Sequence, residues 1–136
     1  MTGVVLSFSA VSDPKRLPVL LIDDDPAIRD ALCEFLQDEG FAVATAANGR
    51  EAMHWLTECR PASCVVLLDL MMPNVSGSEF LEQKQMDPRV SSYPVVVISA
   101  SARTAQFGRT PDVKACISKP FEMPELFAAL ESCAGL

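Results

Sequence analysis

From Pro18 onward the chain alternates short unbroken apolar runs with longer stretches whose apolar residues recur at helical spacing. "VLLID" (Val19–Asp23) opens the pattern as a continuous apolar run, the form a strand takes when both its faces are covered. Three consecutive aspartates, Asp23, Asp24 and Asp25, then end it, with Pro26 behind them. Asp25 is placed to cap a helix whose first position is Pro26. Ile28, Leu32, Phe35 and Leu36 fall on one face of that helix, and Gly40 closes it. "FAVATA" (Phe41–Ala46) predicts a second strand, Asn48-Gly49 a turn, and "EAMHWLTEC" (Glu51–Cys59) a helix turning Ala52, Leu56 and Cys59 inward. "CVVLL" (Cys64–Leu68) predicts a third strand, ended by Asp69. The loop "LMMPNVSG" leads into a helix starting near Gly77 that packs through Phe80 and Leu81. "YPVVVIS" (Tyr93–Ser99) and "VKACIS" (Val113–Ser118) are strands four and five. Met123–Cys133 reads as a last helix with Leu126, Phe127 and Leu130 facing in. Between strands four and five, Ala100–Asp112 has room for a short helix only, because Gly108 and Pro111 interrupt it.

Strands alternating with helices predict an α/β fold with a parallel sheet and right-handed crossovers. In such sheets ligands sit beyond the carboxyl ends of the strands, where strand order reverses. The polar residues of the pattern fall there: Asp23–Asp25 after strand one, Asp69 after strand three, Ser99 after strand four and Lys119 after strand five.

Length and composition narrow the picture. The 136 residues suit one domain, Pro18–Leu136, preceded by an N-terminal arm over residues 1–17. An apolar share of 49% is enough for a real core. The net charge of −7 argues against nucleic acid as a partner, since phosphates demand a basic surface. Five cysteines, Cys33, Cys59, Cys64, Cys116 and Cys133, are odd in number and form no C-x-x-C pair. They read as reduced thiols of a cytoplasmic protein, most of them small apolar fillers, with Cys116 filling a strand. No apolar run approaches the roughly 18 residues of a membrane span, and no basic segment precedes "GVVLSFSAV" as a signal peptide requires.

If strands one and three are neighbours, Asp23, Asp24 and Asp69 meet in one acidic pocket. Buried carboxylates are costly unless they take up a proton or bind a cation. Oxygen ligands at an open sheet end suit Mg²⁺, which takes one or two carboxylates, keeps waters and adds a phosphate oxygen. Lys119 brings a fixed positive charge and Ser99 a hydroxyl, and a carboxylate can itself be a nucleophile, forming an aspartyl-phosphate.

"LLIDDDPAIRDAL", "VVLLDLMMPNVSG", "VVVISA" and "ISKPF", in that order, resemble the signature segments of response-regulator receiver domains, over Pro18 to Leu136. The resemblance implies a flavodoxin-like doubly wound sheet of strand order 2-1-3-4-5, with helices on both faces. It implies Asp69 as phosphoacceptor, served by a sensor histidine kinase or a histidine phosphotransfer protein. Asp24 would touch Mg²⁺ directly and Asp23 through water, with Asp69 and the Met71 backbone carbonyl completing the protein ligands. Ser99 and Ala100 would bind the phosphoryl group as the switch, Lys119 would pair with it, and the Lys119-Pro120 bond would be cis. Cys116 stands where the family commonly has an aromatic switch residue, and with no ring to relocate it does not support the usual aromatic relay. The implied protein is a signalling switch, not an enzyme, a monomer or weak dimer acting on a downstream protein.

Taken singly, these residues have plainer readings. Three aspartates are ordinarily a solvated loop, Asp69 a strand-ending turn residue, and Lys119 a surface lysine; only the combination promotes them. His54, mid-helix among polar neighbours, reads as solvated. Two rival functions stay open. One is a receiver-like interaction module that works without phosphorylation, favoured by the interrupted Ala100–Asp112 segment. The other is a haloacid-dehalogenase-like phosphohydrolase using Asp23 as nucleophile and Asp25 as acid/base, against which stand Ala27 and the lack of an acidic pair after Lys119.

Overall fold

Strands β1 (Val19–Ile22), β2 (Val43–Ala46), β3 (Val65–Leu70), β4 (Val95–Ser99) and β5 (Val113–Ser118) form one parallel sheet in the order β2-β1-β3-β4-β5. The computed structural model describes residues 17–70, 75–99 and 111–134. Residues 1–16 of the expected arm, Met71, Ala100 and the short helix expected before Pro111 lie outside the described residues.

Helices α1 (Pro26–Asp38) and α4 (Met123–Ala134) cover one face of the sheet, and α2 (Gly49–Cys59) and α3 (Val75–Met86) cover the other. Leu20, Ile22, Val66, Leu68 and Val97 pack with Trp55, Leu56, Phe80 and Leu81. On the opposite face Leu21, Leu67, Val96 and Ile98 pack with Leu32, Leu36, Leu126 and Leu130. Successive strand side chains point to opposite faces, so a strand covered on both sides must be apolar throughout. That explains the unbroken runs at β1, β3 and β4.

Local chemistry sets the helix ends. Asp25 has extended backbone (φ −90°, ψ 111°), and its Oδ1 accepts from Ala27 N at 2.9 Å and Ile28 N at 3.3 Å. Gly40 takes a φ of 97°, open to glycine at no steric cost, where the chain leaves α1 for β2. Asn48 Oδ1 accepts from Glu51 N, and Glu51 Oε1 accepts in return from Ala47 N, both at 2.9 Å. This reciprocal cap starts α2 at Gly49, two residues before the apolar pattern begins.

Several expectations need correction. Phe35 is 52% exposed, because the buried stripe of α1 runs through Leu32 and Leu36 and Phe35 lies to its side. Cys59 is exposed in the last turn of α2, and the inward position belongs to Trp55, which is buried. Of the cysteines only Cys64 and Cys133 are buried. Cys116 is not a filler: on edge strand β5 the exposed Lys114, Cys116 and Ser118 alternate with Val113, Ala115 and Ile117. β3 does not stop before Asp69 but runs through it to Leu70. β2 starts at Val43 and β4 at Val95, each two residues later than the apolar pattern, yet Phe41 is buried and stacks on Phe127 with centroids 6.1 Å apart. α3 starts at Val75, earlier than Gly77.

Candidate functional site

Strand order reverses at β1, which has β2 on one side and β3 on the other. Ile22 pairs with Leu68, so the next residues, Asp23 and Asp69, stand at the same level at the carboxyl ends of adjacent strands. Parallel register therefore does what no local signal can: it sets side by side two carboxylates distant in sequence.

Asp23 is 1% exposed and held at three points. Its N–H donates to Ala46 O at 3.1 Å, its carbonyl accepts from Arg29 Nη1 at 2.9 Å, and its Oδ1 accepts from Asp25 N at 2.9 Å. Oδ2 is buried without a hydrogen-bond partner. Asp24 is exposed, and Asp25 is the cap of α1. The three aspartates thus have three different environments.

The Asp69 side chain is wholly buried; Lys119 Nζ lies 2.9 Å from its Oδ1 and donates to its Oδ2 at 3.0 Å. Lys119 N donates to Ser99 O at 3.0 Å, joining the ends of β4 and β5. The Lys119-Pro120 bond is cis. Ser99 is buried and pairs in register with Leu70 and with Ser118.

Asp23, Asp24 and Asp69 line one open cavity of about 190 Å³, with Asn48 and Gly49 at the start of α2 and Gly77 in α3. Burial pushes the Asp23 carboxyl up from 3.8 to about 7, and the Asp69 carboxylate beside it adds to the rise. The Asp25 N–H and the Lys119 charge oppose that rise without cancelling it. The rise is chiefly desolvation, a cost that a bound cation would offset.

Among the described residues, no three His, Cys, Asp or Glu side chains close on one point as a metal centre. The donors present are two buried carboxylates, each with one oxygen that accepts no hydrogen bond (Asp23 Oδ2, and Asp69 Oδ1, which faces the Lys119 ammonium), and an exposed third at the cavity wall. A hard cation that keeps much of its water fits this set; a fully protein-caged metal does not.

The sequence matches the model of the response regulator receiver domain over residues 19–131. The chain belongs to the response regulator receiver domain family. Response regulator Rre1 of a Synechocystis species is 39% identical over 119 residues, which are 85% of this chain and 51% of that protein. DNA-binding response regulator MtrA of Mycolicibacterium smegmatis is 32% identical over 122 residues, 88% of this chain and 51% of that protein. The receiver domain therefore spans about half the length of the curated relatives it matches. Among solved structures, chemotaxis response regulator CheY4 of Vibrio cholerae superposes with a TM-score of 0.72 at 29% identity, over 87% of this chain and 98% of that one. Response regulator TrrA of Thermotoga maritima, solved in complex with Mg²⁺-BeF, gives 0.71 at 26% identity over 86% of this chain and 98% of its own. The chain is thus a receiver domain of two-component signalling. Among the described residues no helix is long and apolar enough to cross a membrane.

Two contributors to the site, and one buried ion pair at the opposite end of the sheet, are not legible in the sequence as read above. The cavity wall at Asn48 and Gly49 shows in the sequence as a turn, although Asn48 followed three residues on by Glu51 is a recognisable helix-start signal. Arg29 gives no sign of its contact with the Asp23 carbonyl beyond being a cation in the first turn of a helix, where the dipole disfavours it. The buried pair of Lys84 and Asp112 has no local signature at all.

Proposed function

We propose that Asp69 accepts a phosphoryl group from a phosphohistidine on a sensor kinase or phosphotransfer protein, and that this receiver domain relays the change through protein–protein contacts. One observation carries the reading: the buried Asp69 carboxylate stands between the Lys119 ammonium, 2.9 Å away, and the Asp23 carboxyl, whose Oδ2 is unpartnered. A carboxylate oxygen attacks phosphorus, the P–N bond of the donor breaks, and the imidazole nitrogen leaves with the electron pair and takes up a proton. Asp23, Asp24 and Asp69 would hold Mg²⁺, which when bound supplies the positive charge that offsets the phosphoryl oxygens. Lys119 orients the acceptor and offers a second positive contact to the product. Ser99, buried at the end of β4 and tied through its carbonyl to Lys119 N, is placed to sense the change and pass it to β5.

A phosphohydrolase would need Asp25 as a free acid/base, but its carboxylate caps α1. The acidic charge of the chain favours protein over DNA as its direct contact, and its thiols suit a reducing cytoplasm. The test is intact mass after incubation with a small phosphodonor and Mg²⁺. The expected result is one added phosphoryl group, absent in Asp69→Asn and absent with excess chelator. An adduct that persists in Asp69→Asn refutes the assignment. No adduct on the wild type from either a phosphodonor or a phosphorylated histidine protein leaves the phosphorylation-independent module as the reading.

A further inference from the structure

We infer that Arg29 is a positioning residue of the acidic site, holding the β1–α1 turn in the form that presents Asp23 and Asp24 to a divalent cation. The inference rests on the metal-binding reading above. Its starting point is an inventory of the hydrogen-bonding groups of Asp23. The N–H continues the sheet by donating to Ala46 O, and Oδ1 is occupied by Asp25 N. The carbonyl lies past the last residue of β1, so no strand takes it; Arg29 Nη1 takes it at 2.9 Å. Only Oδ2 remains, and Asp23 lines the cavity that Asp24 and Asp69 share.

Arg29 is anchored in turn. Its own N–H donates to Asp25 O at 2.9 Å, the first bond of α1, while Asp25 caps the same helix. The guanidinium therefore spans from the first helical turn back to the end of the strand and closes the Asp23–Asp25 turn from outside. A cation in that turn works against the helix dipole, and the carbonyl contact is the compensation for placing it there. Without Arg29 a half-buried carbonyl loses its partner and the turn gains freedom to rotate. Rotation there moves both Asp23 and Asp24. Groups that orient metal ligands from behind are worth about 10- to 100-fold in metal affinity.

The sign of the effect separates positioning from simple charge. Removing Arg29 takes the net charge from −7 to −8, so Coulomb attraction alone would tighten binding of a dication. Positioning predicts the opposite. Mg²⁺ titration by calorimetry on wild type, Arg29→Ala and Arg29→Lys reads this directly. The expected result is an affinity about tenfold weaker in Arg29→Ala, with Arg29→Lys between the two because an ammonium can still donate to the carbonyl. The melting temperature without Mg²⁺ is measured alongside, since a purely structural residue would lower it and leave the affinity of the folded protein unchanged. Mg²⁺ affinity equal to or tighter than wild type in Arg29→Ala overturns the inference. Should that variant not fold, Arg29→Gln, with its shorter neutral side chain, is measured instead under the same criteria. A wild type that binds no Mg²⁺ overturns the proposed function itself, a different result from a wild type and an Arg29→Ala that bind equally.

Discussion

Lys84 Nζ lies 2.6 Å from Asp112 Oδ2, in a pair whose side chains are 0% and 6% exposed. Lys84 also donates to Ser91 O at 3.2 Å and Tyr93 O at 2.5 Å, so all three of its donors are used. The pair ties α3 to the entry of β5, at the end of the sheet opposite the acidic cavity. Burial pushes the Lys84 ammonium below its usual range, and the Asp112 carboxylate opposes that shift. Breaking such a pair from one side strands a buried charge, which typically costs about 3–5 kcal/mol. Lys84→Met and Asp112→Asn should each lower unfolding stability by about 3 kcal/mol in urea titrations. The double variant should cost clearly less than the two added together, because it strands neither charge. Additive losses would mean that the two side chains do not act as a pair.

The Asp23 carboxyl makes the metal-free protein sensitive to pH. Its ordinary value is 3.8 and its value in the fold is about 7. Between those pH values the folded chain keeps a proton that the unfolded chain has released, so stability falls as pH rises from about 4 to about 7 and then levels off. At 1.36 kcal/mol per unit the full shift corresponds to about 4 kcal/mol, and solvent in the open cavity reduces the loss below that. Melting curves in chelator from pH 4 to 8 should show this fall in wild type against a flatter profile in Asp23→Asn. Parallel profiles would place the proton elsewhere. Mg²⁺ at pH 8 should recover the lost stability in wild type only.

Asp23 and Asp24 should separate in a metal-free comparison at neutral pH. The sequence places both in one repulsive pocket, which predicts that neutralising either raises the melting temperature. The fold buries Asp23 beside Asp69 and leaves Asp24 exposed. Asp23→Asn should therefore melt higher than wild type without Mg²⁺, by about 4 °C for each 1 kcal/mol gained in a domain of this size. Asp24→Asn should stay within about 1–2 °C of wild type, because a charge in water is already screened. Both should bind Mg²⁺ more weakly. An Asp24→Asn that melts as high as Asp23→Asn would show that exposure does not divide the two roles.

Thiol reactivity should follow the structure and not the apolar character of cysteine. Cys59 and Cys116 are exposed, whereas Cys64 and Cys133 are buried, with burial pushing the Cys64 thiol up to about 12. A neutral-pH alkylating reagent should modify Cys59 and Cys116 first and reach Cys64 only on denaturation, as read by peptide mass. Early modification of Cys64 would contradict its place under α2 and α3.

Much of this molecule is legible in its sequence because local chemistry decides it. The unbroken runs at Val19–Ile22, Val65–Leu68 and Val95–Ile98 are short enough to read as strands covered on both faces, and Asp25 before Pro26 starts a helix through one side chain and two backbone N–H groups. Alternation of such elements implies a parallel sheet, and a parallel sheet places Asp23, Asp69, Ser99 and Lys119 at its carboxyl end. Tertiary structure decides what depends on neighbours distant in the chain. The register of Ile22 with Leu68 sets Asp23 beside Asp69, and burial there makes one aspartate hold a proton while the next lies in solvent. Lys84 reaches Asp112 across 28 residues, and Cys116 is exposed because β5 is the last strand of the sheet. Desolvation and pairing are properties of an environment, and an environment is assembled only when separate segments pack together.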